Sequence, residues 1–142
     1  MNRFFSKAEE DIIINSIRSI ELASECEVRV HVDYADPKIS PMDAALKVFY
    51  KLKMDRTRNR NGVLILLLPD RKEFAILGDI AIHEKVDSNF WETTQQLMSS
   101  YFMDCRFVQG TCFVIEHIGV ELKKHFPSVN DHNELPDEIS YS

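Results

Sequence analysis

The chain is poor in the residues that build common phosphate-binding and metal-binding motifs. Only four of its 142 residues are glycine and only three are cysteine. So few glycines leave no Gly-rich loop to cradle a phosphate, and no Gly-x-Ser-x-Gly nucleophile motif is present. Cys26, Cys105 and Cys112 lack the close spacing of zinc ligands. We therefore expect reduced, mostly buried thiols.

The sequence also lacks an excess of basic residues and any long apolar run. Its net charge of −6 argues against a general nucleic-acid binder. No stretch approaches the length needed to span a bilayer, and the first six residues contain no apolar signal-peptide core. We expect a cytoplasmic protein with no membrane span and no nucleic-acid partner.

Helix and strand signals alternate along the first half of the chain. Ser6 and Glu9 form a capping-box pattern, which predicts the start of an amphipathic helix. Val28, Val30 and Val32 then alternate with polar residues, as in a strand exposed on one side. Ser40 followed by Pro41 predicts the start of a second helix.

The apolar run Val63 to Leu68, between Asn-Gly and Pro-Asp, has the length of a strand that is covered on both faces. A helical crossover from the first strand makes these two strands parallel. Only Pro69 to Lys72 separate the run from the next strand, Glu73 to Leu77, so that pair is antiparallel. The predicted fold is α/β, a three-layer α/β/α sandwich around a small mixed sheet.

Two more helices are predicted, the first from about Phe90 to Met103 and the second ending near Phe126. The length and the 44% hydrophobic content fit one core. We expect one domain over residues 1–127. Residues 128–142 are acidic and nearly free of apolar side chains, which predicts a disordered tail.

The segment Arg58–Asp79 resembles the TPM domain family. It has a basic-Asn-Gly lead-in, an apolar strand, a turn containing Asp-Arg and a second strand that ends in Gly78. The strand Glu27–Val32 resembles the first strand of the family, and Gly78-Asp79 is similar to its soluble branch. Cys26 and Ala81 stand where glycine is usual, which reduces access to positive φ. The resemblance implies an α/β/α domain that binds divalent cations, with weak phosphatase activity in some members.

The topology places Glu27, Asn61 and Asp79 at one edge of the sheet, with Glu84 and Asp87 on the loop that follows. Carboxylate oxygens of this kind suit a hard cation, Ca²⁺ or Mg²⁺. From the sequence alone, three carboxylates within nine residues are more often a solvated acidic loop than a metal site. With the resemblance, we predict metal ligation by Glu27, Asp79, Glu84 and Asp87, with Asn61 and Gly78 also at the binding site.

Several alternatives stay open at this point. The basic stretch Lys47–Arg60 is either a phosphate-binding patch or the solvated end of a helix. The preferred function is a small TPM-like domain that binds a divalent cation, a protein partner or both at the acidic edge. A weak metal-dependent phosphatase is the alternative. A third hypothesis is an adaptor with a groove between the Trp91 helix and the last helix. The sequence identifies neither a catalytic residue nor the oligomeric state.

Overall fold

The computed structural model describes residues 4–128 and 137–142. Within these residues the chain forms five α-helices and four β-strands. The helices are α1 (Lys7–Ala23), α2 (Pro41–Lys51), α3 (Ile80–Lys85), α4 (Ser88–Met103) and α5 (Phe107–His125). The strands are β1 (Glu27–Val32), β2 (Gly62–Leu68), β3 (Glu73–Gly78) and β4 (Ser140–Tyr141).

The strands form one mixed sheet in the order β3-β2-β1-β4. β1 and β2 are parallel, with Val28 opposite Val63, because α2 provides the crossover between them. β2 and β3 are antiparallel, with Leu66 opposite Ala75, because the short turn leaves no room for a crossover. Both pairings confirm the prediction from sequence.

Helices cover both faces of this sheet, which makes the fold the predicted α/β/α sandwich. α2 packs on one face through Val48 and Phe49, against Leu64, Leu66 and Leu68. α1, α4 and α5 pack on the other face, against the valines of β1 and alternate residues of β2. All seven residues of β2 are buried, as expected for a strand covered on both sides.

The helices begin where local capping chemistry predicts. The Ser6 hydroxyl accepts from the Glu9 N–H at 3.1 Å, and the Glu9 carboxylate accepts from the Ser6 N–H at 2.9 Å. Ser40 caps α2 in front of Pro41, and Asp87 caps α4. These caps satisfy N–H groups that a helix leaves without partners at its first turn.

The face of β1 that carries His31 was predicted to be exposed, but the structure buries this side chain. His31 is only 2% exposed, since both of its ring nitrogens hydrogen-bond with hydroxyls of the C-terminal segment. The partners are Ser140, at 2.7 Å from Nδ1, and Ser142, on Nε2. Burial lowers the pKa of His31 to about 4, so the imidazole is neutral at pH 7.

Residues 128–142 were predicted to be disordered, but residues 137–142 of this tail have a defined position against the domain. Ser140 and Tyr141 pair in parallel with His31 and Val32, and Ile139 is buried in the core on the α1 side. The prediction weighed only the small apolar area of the tail and missed its specific polar contacts with the domain. Residues 129–136, also predicted to be disordered, lie outside the described residues.

None of the helices in the described part of the chain is long and apolar enough to cross a membrane.

Candidate functional site

Glu27, Asn61 and Asp79 lie together at one end of the strands, where β1 and β2 begin and β3 ends. This end of the strands is the sheet edge of the prediction. The Glu27 N–H donates to the Asn61 carbonyl oxygen at 3.3 Å, and the Asp79 N–H donates to the Gly62 carbonyl oxygen at 2.9 Å. This arrangement follows from the register, which sets Glu27 opposite Gly62 and Val63 opposite Gly78. Their role as ligands stays a prediction.

The centre of this edge is an ion pair between Asp79 and Arg60. Nε of Arg60 lies 2.7 Å from one Asp79 carboxylate oxygen and Nη2 lies 2.8 Å from the other. The Asp79 side chain is 4% exposed and the Arg60 side chain is 40% exposed. The hydrogen bond with Asp79 raises the pKa of the Arg60 guanidinium. Both oxygens of the Asp79 carboxylate are therefore already hydrogen-bonded to the cationic guanidinium of Arg60.

Asp79 is also tied to the start of α3. One of its carboxylate oxygens accepts from the Ile80 N–H at 2.8 Å, and the Arg60 carbonyl oxygen accepts from the Ala81 N–H at 3.1 Å. Arg60 has a φ of 51°, a left-handed conformation that is uncommon for arginine. The segment before β2 and the segment after β3 are thus held side by side.

Asn61 follows Arg60 in the chain and is buried. Its side-chain Nδ2 donates to the Glu25 carbonyl oxygen at 2.6 Å, and its backbone N–H donates to Thr57 Oγ1 at 3.3 Å. Within the described residues, its side-chain Oδ1 is buried and has no hydrogen-bond donor. A buried oxygen of this kind calls for a partner, either water or a cation.

Gly78, at the same edge, lies where α3 approaches the chain closely and leaves little room for a side chain. A Cβ atom at Gly78 would sit 2.7 Å from Cγ2 of Ile82, so a side chain at this position would force Ile82 to shift. Among the described residues, positive φ occurs at Lys53, Arg60, Lys72 and Cys105. Cys26 and Ala81, the two departures from the usual glycines of the family, therefore have ordinary backbone conformations.

Glu27 faces a second acidic group that the sequence analysis missed. The Glu21 carboxyl lies close to the carboxyl groups of both Glu27 and Asp137. Burial, and then these two neighbours, raises the pKa of Glu21 to about 10. Glu21 and Asp137 are 116 positions apart in the chain, so local spacing gives no signal for their pairing.

Glu84 and Asp87 do not join Asp79 in one cluster. Asp79 caps the start of α3, whereas Glu84 is exposed near the end of this six-residue helix, about 7 Å further along the axis. Asp87 accepts from the Asn89 N–H at 3.0 Å as the cap of α4. Over residues 4–128 and 137–142, no three His, Cys, Asp or Glu side chains form a group that could hold a metal ion.

The other candidates of the sequence analysis have ordinary surroundings. His83 is exposed on α3. In the basic stretch Lys47–Arg60, Arg60 pairs with Asp79, while Lys47, Lys51, Lys53, Arg56 and Arg58 are exposed. Trp91 lines a groove of about 430 Å³ between α4, β3 and the start of α2. The predicted adaptor groove was placed instead between α4 and α5, which pack against each other through stacked Phe90 and His117.

The fold and this edge define a small α/β/α domain with a charged, hydrogen-bonded sheet edge. The family model of the TPM domain matches residues 1–120, and the chain belongs to this family. The NMR structure of the BA42 protein from the psychrophilic bacterium Bizionia argentinensis is 38% identical. It superimposes with a TM-score of 0.91 over 100% of this chain and 98% of that chain.

A more distant structure shares the fold alone. The N-terminal domain of the cg2496 protein from Corynebacterium glutamicum is 10% identical, with a TM-score of 0.66 over 84% of this chain and 74% of that chain. The comparison with curated proteins finds no significant match.

Proposed function

We propose that this TPM domain binds a divalent cation, Ca²⁺ or Mg²⁺, at the sheet edge formed by Asp79 and Asn61. The observation that carries the proposal is the Asp79 carboxylate, buried and held on both oxygens by the guanidinium of Arg60. A carboxylate at this depth needs a cationic partner. In the proposed bound state, the divalent cation takes the place of Arg60.

The surroundings supply what such an exchange requires. Arg60 is 40% exposed, so its guanidinium can be rehydrated when a divalent cation takes its place on Asp79. The buried Oδ1 of Asn61 has no hydrogen-bond donor among the described residues and is a suitable further ligand. Carboxylate, amide and backbone oxygens are the ligand types that Ca²⁺ and Mg²⁺ prefer. Arg60 thus acts as a built-in competitor that sets the affinity.

Three variants test this competition. Arg60→Gln removes the competing charge, so its affinity for Ca²⁺ or Mg²⁺ should rise about tenfold, equivalent to roughly 1.4 kcal/mol. Arg56→Gln removes one positive charge from an exposed neighbour and serves as the matched control. Asp79→Asn should abolish cation binding, both in the wild-type chain and in combination with Arg60→Gln. Isothermal titration calorimetry measures the affinity, and the cation-dependent rise in melting temperature provides a second readout.

Two results would contradict the proposal. One is equal affinity in the Arg60→Gln and Arg56→Gln variants, which would mean that only the general charge of the surface matters. The other is unchanged binding by Asp79→Asn. A metal-dependent phosphatase, the alternative that the family resemblance allows, has no specific support in these contacts. Its activity would require the same cation and should disappear in Asp79→Asn.

A cytoplasmic location and a protein partner belong to the same proposal. The ground for the location is the resemblance of Gly78-Asp79 to the soluble branch of the family. The ground for a partner is the presence of exposed charged groups around the edge, which suit a transient contact.

A further inference from the structure

The C-terminal segment, residues 137–142, is attached to the rest of the domain by contacts with α1 and β1. Its strand β4 pairs with only two residues of β1, and the Ser142 N–H donates to the Val32 carbonyl oxygen at 3.1 Å. It lies at the edge of the sheet, so no further strand covers it in the described structure. The family model match ends at residue 120 and does not include this strand.

The segment carries its own recognition groups. The Tyr141 hydroxyl donates to the Glu10 carboxylate at 2.5 Å, and Nε of Arg18 donates to Asp137 at 3.3 Å. Ser140 and Ser142 hydrogen-bond with the two ring nitrogens of His31. Each of these pairs is more than 100 positions apart in the chain, so the segment meets the domain as a separate peptide would.

One apolar side chain anchors the segment between these polar contacts. Ile139 is 9% exposed and belongs to the core that α1 shares with β1. Tyr141 packs against the same core. An acidic residue, a buried isoleucine and a tyrosine at alternate positions are the features of an extended ligand that adds to a sheet edge.

We propose that the outer edge of β1 is a strand-binding site for this segment. The chain's own residues 137–142 fill it here, and the same residues of a second copy fill it once the first segment has detached. The second copy is the occupant that the contacts favour, because it brings the same aspartate, isoleucine, serines and tyrosine in the same order. The segment lies along β1 on the side away from β2, so this inference rests on other contacts than the proposed cation site at Asp79 and Asn61.

Amide hydrogen exchange of the full chain tests detachment. The Ser142 amide should exchange at least about 100-fold faster than the Ile65 amide in the central strand, because the segment opens without unfolding the sheet. Equal protection at Ser142 and Ile65 would show that the segment leaves only on global unfolding and would overturn the proposal.

A displacement experiment tests the site itself. The Ile139→Asp variant of the full chain places a charge in the core position and should release its own segment. A synthetic peptide Asp-Glu-Ile-Ser-Tyr-Ser should then bind this variant at least about tenfold more tightly than the wild-type chain, whose own segment competes. The binding should shift the NMR signals of His31 and Val32. A control peptide with aspartate in place of isoleucine should not bind.

Each remaining outcome also decides the question. Equal peptide affinity for the variant and the wild type would place the peptide elsewhere and overturn the proposal. Unlabelled wild-type chain, added to the ¹⁵N-labelled variant, should reproduce the peptide's shifts at His31 and Val32. Shifts with the peptide but none with the wild-type chain would refute the second copy as occupant. If the variant does not fold, the hydrogen-exchange comparison on the wild type decides alone.

Discussion

Replacement of Glu21 by glutamine should stabilise the domain above neutral pH. The Glu21 carboxyl lies against those of Glu27 and Asp137, and the nearby Arg18 guanidinium contacts Asp137. Burial and these carboxylates raise the pKa of Glu21 from 4.5 to about 10. The folded chain therefore holds a proton on this group at pH 7, whereas the unfolded chain does not.

The sign of the effect follows from proton linkage. Between pH 4.5 and about 10 the folded state binds more protons than the unfolded state, so stability falls as pH rises through this window. One proton gives a maximum slope of about 1.4 kcal/mol per pH unit. Glu21 is partly exposed, and solvent screening reduces this slope, so we expect a loss of about 1 kcal/mol between pH 7 and 9.

Urea denaturation at pH 7, 8 and 9 measures this loss. Glu21→Gln keeps the size and hydrogen bonding of the side chain without its titration, so the variant should lose less stability than the wild type. Glu116→Gln, on the exposed face of α5, is the matched control and should follow the wild type. His31 does not interfere, because its pKa is lowered to about 4. Parallel curves for the wild type and Glu21→Gln would show that the folded chain does not hold a proton on Glu21 more tightly than the unfolded chain.

Two further predictions concern packing. Leu66 is 0% exposed in the doubly covered strand, so Leu66→Ala should cost about 2–5 kcal/mol and Leu66→Asp more; the control Leu46→Ala, at a position 39% exposed, should cost under about 1 kcal/mol. Denaturation midpoints measure both, and equal losses would contradict the sandwich. Gly78→Ala places a Cβ 2.7 Å from Ile82 and should cost about 1–3 kcal/mol. An unchanged melting temperature would mean that α3 moves away without strain.

Local sequence signals predicted most of the fold. The capping box at Ser6, the Ser40-Pro41 start and the apolar run of β2 each depend on residues within a few positions of one another. The parallel and antiparallel pairings then followed from connection lengths alone. These signals are local in the chain, and the structure confirms them.

The contacts that sequence reasoning missed are long-range or depend on unusual backbone. The hydrogen bonds of Tyr141 with Glu10 and of Ser140 with His31 join residues more than 100 positions apart. The alternation of Ile139 and Tyr141 with polar residues is a local strand signal that the prediction did not use. Arg60 was one of six basic residues, and nothing in their spacing indicates which one adopts positive φ and pairs with Asp79.

The candidate site could be predicted only to the level of a sheet edge. Strand order brought Glu27, Asn61 and Asp79 to one edge, because that follows from backbone topology. Backbone topology does not determine the direction of each side chain. Asp79 forms an ion pair with Arg60, and the Glu27 carboxyl lies beside that of Glu21. Glu84 and Asp87 were grouped with Asp79 by sequence proximity, but Asp79 caps the start of α3, Glu84 lies near the end of this helix and Asp87 lies beyond it.

Divalent-cation binding at Asp79 is most directly tested by an NMR titration of the ¹⁵N-labelled wild type and Arg60→Gln variant with Mg²⁺ and Ca²⁺. We expect shifts at the Asn61 side-chain amide and the Gly78 and Asp79 backbone amides, at lower cation concentration in the Arg60→Gln variant. These shifts should disappear in Asp79→Asn. Shifts confined to the acidic residues near the C-terminus, identical in all three proteins, would contradict cation binding at Asp79.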